Sequence, residues 1–193
     1  MWRNSPRGWG LLAIVLHWSS AVAIFGLFAL GWWMTGLDYY SEWYHLAPWW
    51  HRGIGVLVML VILGRIAWRL AQPTPAAHGS RLERRAASWG HLALYVLMLA
   101  VLISGYLIST ADGKGIEVLG MFTLPAVISD LPEQASRAGV VHWYSAVVLI
   151  ILSAGHALAA FKHHYVDRQD TLRRMLDPRL SQQGRHAAES KGR

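Results

Sequence analysis

Four long stretches of the chain consist almost entirely of apolar residues, and polar segments separate them. The stretches run roughly over residues 8–34, 50–70, 89–109 and 139–161, and none contains a proline. Each is close to or longer than the ~20 residues that a helix needs to cross about 30 Å of hydrocarbon. The pattern predicts an all-α integral membrane protein, with a four-helix bundle in residues 1–177. Residues 178–193 are polar, and we expect them to form a disordered tail.

The composition agrees with a membrane protein. Hydrophobic residues make up 54% of the chain and charged residues only 15%, whereas soluble domains carry about 25% charged residues. The 11 tryptophans suit the two water–lipid interfaces. The chain has no cysteine, which excludes disulfides, thiolate-bound zinc, iron–sulfur clusters and covalent haem attachment.

The charges are unevenly distributed between the two sides of the predicted membrane. The N-terminal segment, the loop after the second helix and the C-terminal tail together carry a formal charge of +10, and the other loops carry −3. The positive-inside rule therefore predicts both termini in the cytoplasm of a bacterial inner membrane. We interpret the net charge of +7 as a topology signal and as contact with membrane lipid, and not as a nucleic-acid surface.

Four histidines in the predicted helices match in depth as two pairs. His17 lies about nine residues into the first helix, and His156 lies a few residues before the cytoplasmic end of the fourth. His51 and His142 are expected in the first turns of the second and fourth helices, at the outer side. His142 and His156 are 14 residues apart, which places them on nearly one helix face and ~21 Å apart along the axis.

Opposed imidazoles on two helices are the axial ligands that a b-type haem needs. The depths therefore predict two haem b groups, an inner one held by His17 and His156 and an outer one held by His51 and His142. A single membrane histidine more often packs or relays protons. A zinc or copper site would gather three or four ligands at one depth, whereas these four histidines separate into two levels.

Three further residues are candidates for contact with the inner haem or with a quinone. His91 is expected to open the third helix, where plain packing is an equal alternative. His163 follows the fourth helix, where interfacial anchoring is an equal alternative, and Arg69 lies near the end of the second helix.

The combination of motifs resembles the prokaryotic cytochrome b561 family over roughly residues 9–177. The matching pieces are Leu16-His17-Trp18, His51, RIAWRLAQPTP from Arg65 to Pro75, HLALY from His91 to Tyr95, His142-Trp143, Gly155-His156, and the ending from His163-His164-Tyr165 to Leu176. The resemblance implies two haem b groups with the same two ligand pairs. It also implies electron transfer between the periplasmic side and a quinone, with ubiquinone as the acceptor.

The resemblance leaves the electron donor open between two functions. One branch of the family is a superoxide oxidase, an enzyme that reduces ubiquinone with electrons from superoxide. Its anionic substrate would need steering by positive charge near the outer haem, for which Arg52, Lys114 and Arg137 are available, although the outer side carries −3 overall. Related subunits are electron conduits or anchors for a periplasmic dehydrogenase or hydrogenase. In that case the outer loop, with apolar residues such as Leu119 and Met121, would dock a periplasmic redox protein.

Overall fold

A computed structural model of the protein describes residues 1–76 and 79–183. Its helices are α1 (Leu11–Met34), α2 (Trp43–Ala71), α3 (Arg81–Ser109), α4 (Gln134–Phe161) and the short α5 (Thr171–Arg174), with strands β1 (Ile116–Val118) and β2 (Phe122–Leu124). A π-helical turn, Lys162–Val166, extends α4. The four long helices are apolar and long enough to cross a membrane, which confirms the all-α membrane prediction. The location of the termini stays a prediction.

Three of the four long helices begin earlier than their apolar stretches indicated. Helix α2 begins at Trp43 and continues through Pro48, α3 begins at Arg81, and α4 begins at Gln134. The prediction that His51, His91 and His142 lie in first turns is therefore wrong, because each lies at least two turns inside its helix. The physical reason is that polar and aromatic residues outside the hydrocarbon continue the helical hydrogen bonding.

Polar caps define two of these earlier starts. At α3 the Ser80 backbone N–H donates to Glu83 Oε2 at 2.8 Å, and the Glu83 N–H donates to Ser80 Oγ at 3.3 Å. This reciprocal pair is a capping box. At α4 the Leu131 N–H donates to Gln134 Oε1 at 3.2 Å. Caps of this kind are made by polar residues, and an apolar pattern does not reveal them.

The chain divides into two compact units, and each contains one segment of every long helix. Unit 1 comprises Met1–Ser20, Ile62–Leu92 and the described residues from Leu152 onward. Unit 2 comprises Ala21–Val61 and Ala93–Ile151. The predicted tail begins in unit 1, where residues 179–183 are helical, and residues 184–193 lie outside the described part of the chain.

Hydrogen bonds in unit 1 join segments that are far apart in sequence. The side chain of the buried Asn4 donates from Nδ2 to the Pro73 carbonyl at 3.1 Å and accepts at Oδ1 from the Gly10 N–H at 2.9 Å. Trp18 Nε1 donates to the Met175 carbonyl at 2.8 Å. The N-terminal segment is therefore joined to the segment after α2, and α1 is joined to the segment after α4.

A small antiparallel hairpin is the main feature of unit 2 that the apolar pattern did not predict. Ile116 pairs with Leu124 and Val118 with Phe122, and the inner residues Ile116 and Val118 pack against Val56 of α2. At the turn, Leu119 has a φ of 51° and Gly120 a φ of 75°. The Leu119 side chain lies over Gly53, where an added Cβ would come within 2.7 Å of Leu119 Cδ2. The hairpin is thus held on α2, two residues after His51.

The outer faces of the long helices are apolar. Val22, Ile151 and Leu158 are 72%, 66% and 68% exposed. Within the most hydrophobic window of each long helix, no more than 17% of residues are buried. A surface of this kind is matched by hydrocarbon and not by water.

Candidate functional site

In unit 2 the rings of His51 and His142 face each other. Their centroids are 6.2 Å apart and their planes are inclined by 72°. A metal with bonds of about 2 Å to each ring, and ring centres roughly 1 Å farther out, would separate the centroids by about 6 Å. The pair therefore has the spacing that two axial ligands of one iron require.

The ring of His142 is oriented by hydrogen bonds to α3. Its Nδ1 donates to the Val101 carbonyl at 2.9 Å, with Ser104 Oγ at 3.3 Å. Because a carbonyl can only accept, the proton of the neutral ring lies on Nδ1, and Nε2 has no proton and could bind a metal. His51 Nδ1 is buried and makes no hydrogen bond of standard geometry within the described residues. The backbone of Leu27 lies close to this ring.

Two glycines make room for these two rings. A Cβ added at Gly31 would lie 3.0 Å from Cε1 of His51, and one added at Gly105 would lie 3.0 Å from Cε1 of His142. Each imidazole therefore packs directly against the backbone of a neighbouring helix. Any larger residue at either position would have to displace a ring that the site needs in place.

In unit 1 the rings of His17 and His156 form a second pair. Their centroids are 6.4 Å apart and their planes are inclined by 69°, so this spacing also suits two axial ligands of one iron. The ring of His91 lies beside the pair, with its centroid 5.2 Å from that of His156. Of the five histidines singled out in the sequence, His51 and His142 thus lie in unit 2, and the other three lie in unit 1.

Arg65 contacts the His17 ring directly. Its Nη2 donates to His17 Nδ1 at 2.8 Å, and its Nη1 donates to Ser20 Oγ at 2.9 Å. Ser20 is buried and donates its own proton to the Leu16 carbonyl at 2.7 Å. A guanidinium can only donate, so Nδ1 of His17 accepts and the proton of the neutral ring lies on Nε2, opposite to the arrangement at His142. Binding of a metal through Nε2 would require this proton to leave or the ring to turn, and a permanent positive charge lies against the ring.

Arg69 and His163, the two other candidates for contact with a haem or a quinone, lie in unit 1 with different partners. The guanidinium of Arg69 lies 5.8 Å from the centre of the Trp9 ring, and its charge acts on His91. His163 Nδ1 lies 2.7 Å from Asp167 Oδ2, and Lys162 Nζ lies 2.8 Å from the same oxygen. Hydrogen bonds from Lys162 and then from His163 hold the pKa of Asp167 below its usual value.

The three outer bases each contact a neighbour close in sequence. Arg52 Nε donates to the Pro48 carbonyl at 3.2 Å. Lys114 pairs with Asp112 at 3.0 Å, and Arg137 pairs with Glu133 at 3.3 Å. Hydrogen bonds from Lys114 lower the pKa of Asp112. Two of the three positive charges are therefore balanced locally, and all three side chains belong to exposed residues.

A different kind of metal site is not favoured. Among the described residues, the one group of three or more potential ligands within reach of a common ion is Glu83, His163 and Asp167. The ammonium group of Lys162 already pairs with both carboxylates, at 3.7 Å from Glu83 and 2.8 Å from Asp167. Within the described part of the chain, no three histidines bring their ligand atoms within 4.8 Å of one another.

Sequence reasoning missed Gly31, Arg65 and Gly105, although one spacing connects them to the histidines. Every long helix repeats a functional position after 14 residues: His17 and Gly31, His51 and Arg65, His91 and Gly105, His142 and His156. Fourteen residues are close to four full helical turns, so each pair lies on nearly one face. The 14-residue spacing of His142 and His156, applied to the other three helices from their histidines, identifies Gly31, Arg65 and Gly105.

Comparisons with known proteins give the family. Residues 8–178 match the model of the prokaryotic cytochrome b561 family. The chain is 46% identical over 183 residues to cytochrome b561 homolog 2 of Escherichia coli (strain K12), covering 94% of this chain and 97% of that one. It is 29% identical over 172 residues to cytochrome b561 homolog 1 of the same organism, covering 86% and 95%. It is also 27% identical over 168 residues to the probable superoxide oxidase CybB of Yersinia pestis, covering 86% and 88%. This chain, an inner-membrane electron-transfer protein, therefore belongs to the prokaryotic cytochrome b561 family.

Proposed function

We propose that the chain holds two haem b groups and carries electrons from a periplasmic donor to a membrane quinone, with ubiquinone as the acceptor. One haem would lie between His51 and His142 in unit 2, and the other between His17 and His156 in unit 1. The observation that carries this proposal is the spacing of the two ring pairs, 6.2 Å and 6.4 Å between centroids. Both values suit a single iron between two imidazoles.

When bound, haem b supplies reversible one-electron chemistry at its iron. The residues of the chain hold and tune that group. The Val101 carbonyl keeps the proton of His142 on Nδ1 and so directs Nε2 toward the iron. Gly31 and Gly105 let the two rings of unit 2 approach the backbone. Arg65 holds the ring of His17 and places a positive charge beside it.

The quinone site is proposed in unit 1, near His91, Arg69 and His163. Reduction of a quinone to a quinol takes up two electrons and two protons, so a proton donor must lie near it. Asp167 orients His163 through Nδ1 at 2.7 Å, which leaves Nε2 of that ring free to exchange a proton. Arg69 and His91 offer further donors to a quinone oxygen.

We propose superoxide as the electron donor, so that the chain is a superoxide oxidase. Two superoxide anions would give up two electrons to one quinone, which takes up two protons, and two molecules of oxygen would be released. The support is the similarity to the probable superoxide oxidase of Yersinia pestis, at 27% identity, together with Arg52, which follows the proposed ligand His51 directly. Arg52, Lys114 and Arg137 would steer the anion.

The outer loop favours a second candidate, an electron conduit for a periplasmic redox protein. Lys114 and Arg137 are paired with acids of their own loop, which weakens a field that could steer a small anion. Met121 of the hairpin turn and Val127 are 61% and 81% exposed. An exposed apolar surface beyond the membrane-crossing helices suits a docked protein partner.

Two measurements test these proposals in order. The purified protein should show a b-type α-band in a reduced-minus-oxidised spectrum, with two haems for each chain. A ratio of one, or no α-band, would overturn the two ligand pairs. A superoxide pulse on the quinone-loaded protein should then reduce the haem faster than superoxide dismutates on its own. If superoxide leaves the haem oxidised and a periplasmic protein reduces it, the conduit is the correct function.

A further inference from the structure

The first two turns of α3 line a shallow basic pocket in unit 1. Its walls are formed by Arg81, Arg84, Arg85, Ser88 and Trp89, and its volume is about 410 Å³. Arg81, Arg85 and Trp89 follow one another at spacings of four residues, and Arg84 and Ser88 lie beside the last two, so the five side chains lie on one side of the helix. None of the four proposed haem ligands lines the pocket, and no step of the proposed electron transfer uses it.

The positive charge of this pocket has little compensation from the protein. Neither Arg81 nor Arg85 forms an ion pair with any residue of the described ranges 1–76 and 79–183. Arg84 donates to the Gly79 carbonyl at 2.5 Å, which is a neutral acceptor. The neighbouring acid, Glu83, accepts a hydrogen bond from the Ser80 backbone N–H at the start of α3. Its Oε1 lies 3.7 Å from Lys162 Nζ. Three guanidinium groups therefore surround a space that suits an anion.

The pocket lies at the level of the lipid headgroups. Helix α3 has 29 residues, which is about 43 Å at 1.5 Å per residue, whereas the hydrocarbon is about 30 Å thick. The excess length falls at the N-terminal end, because the helix becomes continuously apolar only after His91. Leu82 and Trp89 are 78% and 70% exposed beside the arginines, an arrangement of apolar and aromatic side chains that is typical of the interface.

We propose that this pocket binds the phosphate group of an anionic phospholipid. Arginine donates two parallel N–H bonds to phosphate oxygens, and the Ser88 hydroxyl lies in the same wall. The glycerol and the acyl chains of that lipid would continue along Trp89 and the apolar face that follows it. Basic pockets at the ends of membrane helices bind lipid headgroups by this chemistry. The site does not depend on the proposed electron donor or on the haem ligands.

The test compares two triple variants of the haem-loaded protein in a neutral detergent. Arg81→Gln with Arg84→Gln and Arg85→Gln removes the pocket charge. Arg7→Gln with Arg173→Gln and Arg179→Gln removes the same charge from exposed positions of unit 1 outside the pocket. Phosphatidylglycerol is titrated into each, and bound lipid is counted by native mass spectrometry. The pocket triple should bind phosphatidylglycerol about tenfold more weakly than the parent, and the control triple should remain within about twofold. Equal losses in both triples, or no loss in either, would overturn the proposal.

Two further arms identify the source of the phosphate and check folding. Phosphatidylcholine, whose headgroup has no net charge, should bind the parent more weakly than phosphatidylglycerol, and inorganic phosphate at millimolar concentration should not displace the lipid. If inorganic phosphate displaces phosphatidylglycerol at equal concentration, the ligand is a free anion and the lipid proposal is wrong. The reduced α-band should be unchanged in both triples, which would show that the weaker lipid binding comes from the pocket and not from unfolding.

Discussion

The histidine pairs of the two units have nearly the same spacing, but their surroundings differ in charge. In unit 2 the Nδ1 atom of His142 faces a backbone carbonyl, and glycines lie against both rings. In unit 1 the Nδ1 atom of His17 faces the guanidinium of Arg65, and a third imidazole, that of His91, lies beside His156. Equal ligand geometry with unequal charge is a way to give two chemically identical cofactors different reduction potentials.

The sign of that difference follows from electrostatics. A reduced iron carries one positive charge less than an oxidised one, so a nearby guanidinium favours the reduced form. We therefore expect the haem of unit 1 to have the higher reduction potential and to be reduced first. Electrons from a donor at unit 2 would then pass to unit 1, where the quinone is proposed. The comparison of the two surroundings thus predicts a direction of electron flow.

The largest expected effect comes from removing one ligand in each unit. His142→Ala should remove the haem of unit 2 and His156→Ala that of unit 1, because a low-spin b-type haem needs both imidazoles. Each variant should keep one haem for each chain, and the two remaining haems should differ in midpoint potential. Haem content and a potentiometric titration of the α-band measure both quantities.

His91→Ala is the matched control for this pair of variants. It removes an imidazole that lies 5.2 Å from His156 but is not an expected ligand, so both haems should remain. Loss of a haem in His91→Ala together with two haems in His156→Ala would show that the unit 1 pair has been assigned to the wrong histidine.

Arg65→Gln tests the charge difference itself. The variant keeps hydrogen-bond donors near His17 and Ser20 but removes the positive charge, so the midpoint of one haem should fall. A tenfold change in the ratio of reduced to oxidised haem corresponds to about 59 mV for one electron, and we expect a shift of that order. Arg173→Gln, an exposed change of the same charge in unit 1, should leave both midpoints in place. If the midpoint potentials in Arg65→Gln are unchanged, the charge of Arg65 does not set a difference in potential between the two haems, and this part of the comparison is wrong.

Gly105→Ala tests the close packing that distinguishes unit 2. The new methyl group would come within 3.0 Å of His142 Cε1, and overpacking of this kind costs about 1–3 kcal/mol. The haem of unit 2 should be lost at a lower temperature than in the parent, while that of unit 1 should be retained. Gly36→Ala is the control, because an added Cβ there would meet only the Trp33 carbonyl at 3.6 Å. Equal thermal loss from both haems would contradict a role confined to unit 2.

Much of this arrangement could be predicted from the sequence. Length and hydropathy were enough for the four long helices, and the 14-residue spacing of His142 and His156 indicated two levels of sites. The helix ends could not be predicted from apolar residues. Residues 43–49, with Pro48 among them, lie outside the predicted apolar stretch of residues 50–70, yet they belong to α2. The caps made by Glu83 and Gln134 depend on side-chain hydrogen bonds that no hydropathy pattern records.

The site surroundings were harder to predict for a different reason. Glycine is frequent in membrane helices, so Gly31 and Gly105 carried no signal on their own. Arg65 read as a base at the end of an apolar stretch, and only the fold brings its Nη2 within 2.8 Å of His17. The Lys114 and Arg137 hypothesis depended on the family resemblance and on the presence of bases in these loops, whereas their partners in the structure are acids two and four residues away.

The smallest expected effect concerns one carboxylate in each unit, Asp167 in unit 1 and Asp112 in unit 2. The pKa of Asp167 is lowered by Lys162 and His163, and that of Asp112 by Lys114. A carboxyl group with a lower pKa in the folded protein stabilises the fold above its unfolded value of about 3.9, and this contribution is lost as the pH falls through the folded value. At pH 6, therefore, both ion pairs contribute fully to stability.

The Asp167 side chain is 24% exposed and that of Asp112 is 58% exposed, so water and salt screen Asp112 more strongly. Asp167→Asn should lower the temperature of haem loss from unit 1 by on the order of 1 °C in low salt, with a smaller change in high salt. Asp112→Asn should change it less, and an effect of Asp112→Asn as large as that of Asp167→Asn would show that the two ion pairs do not differ between the units.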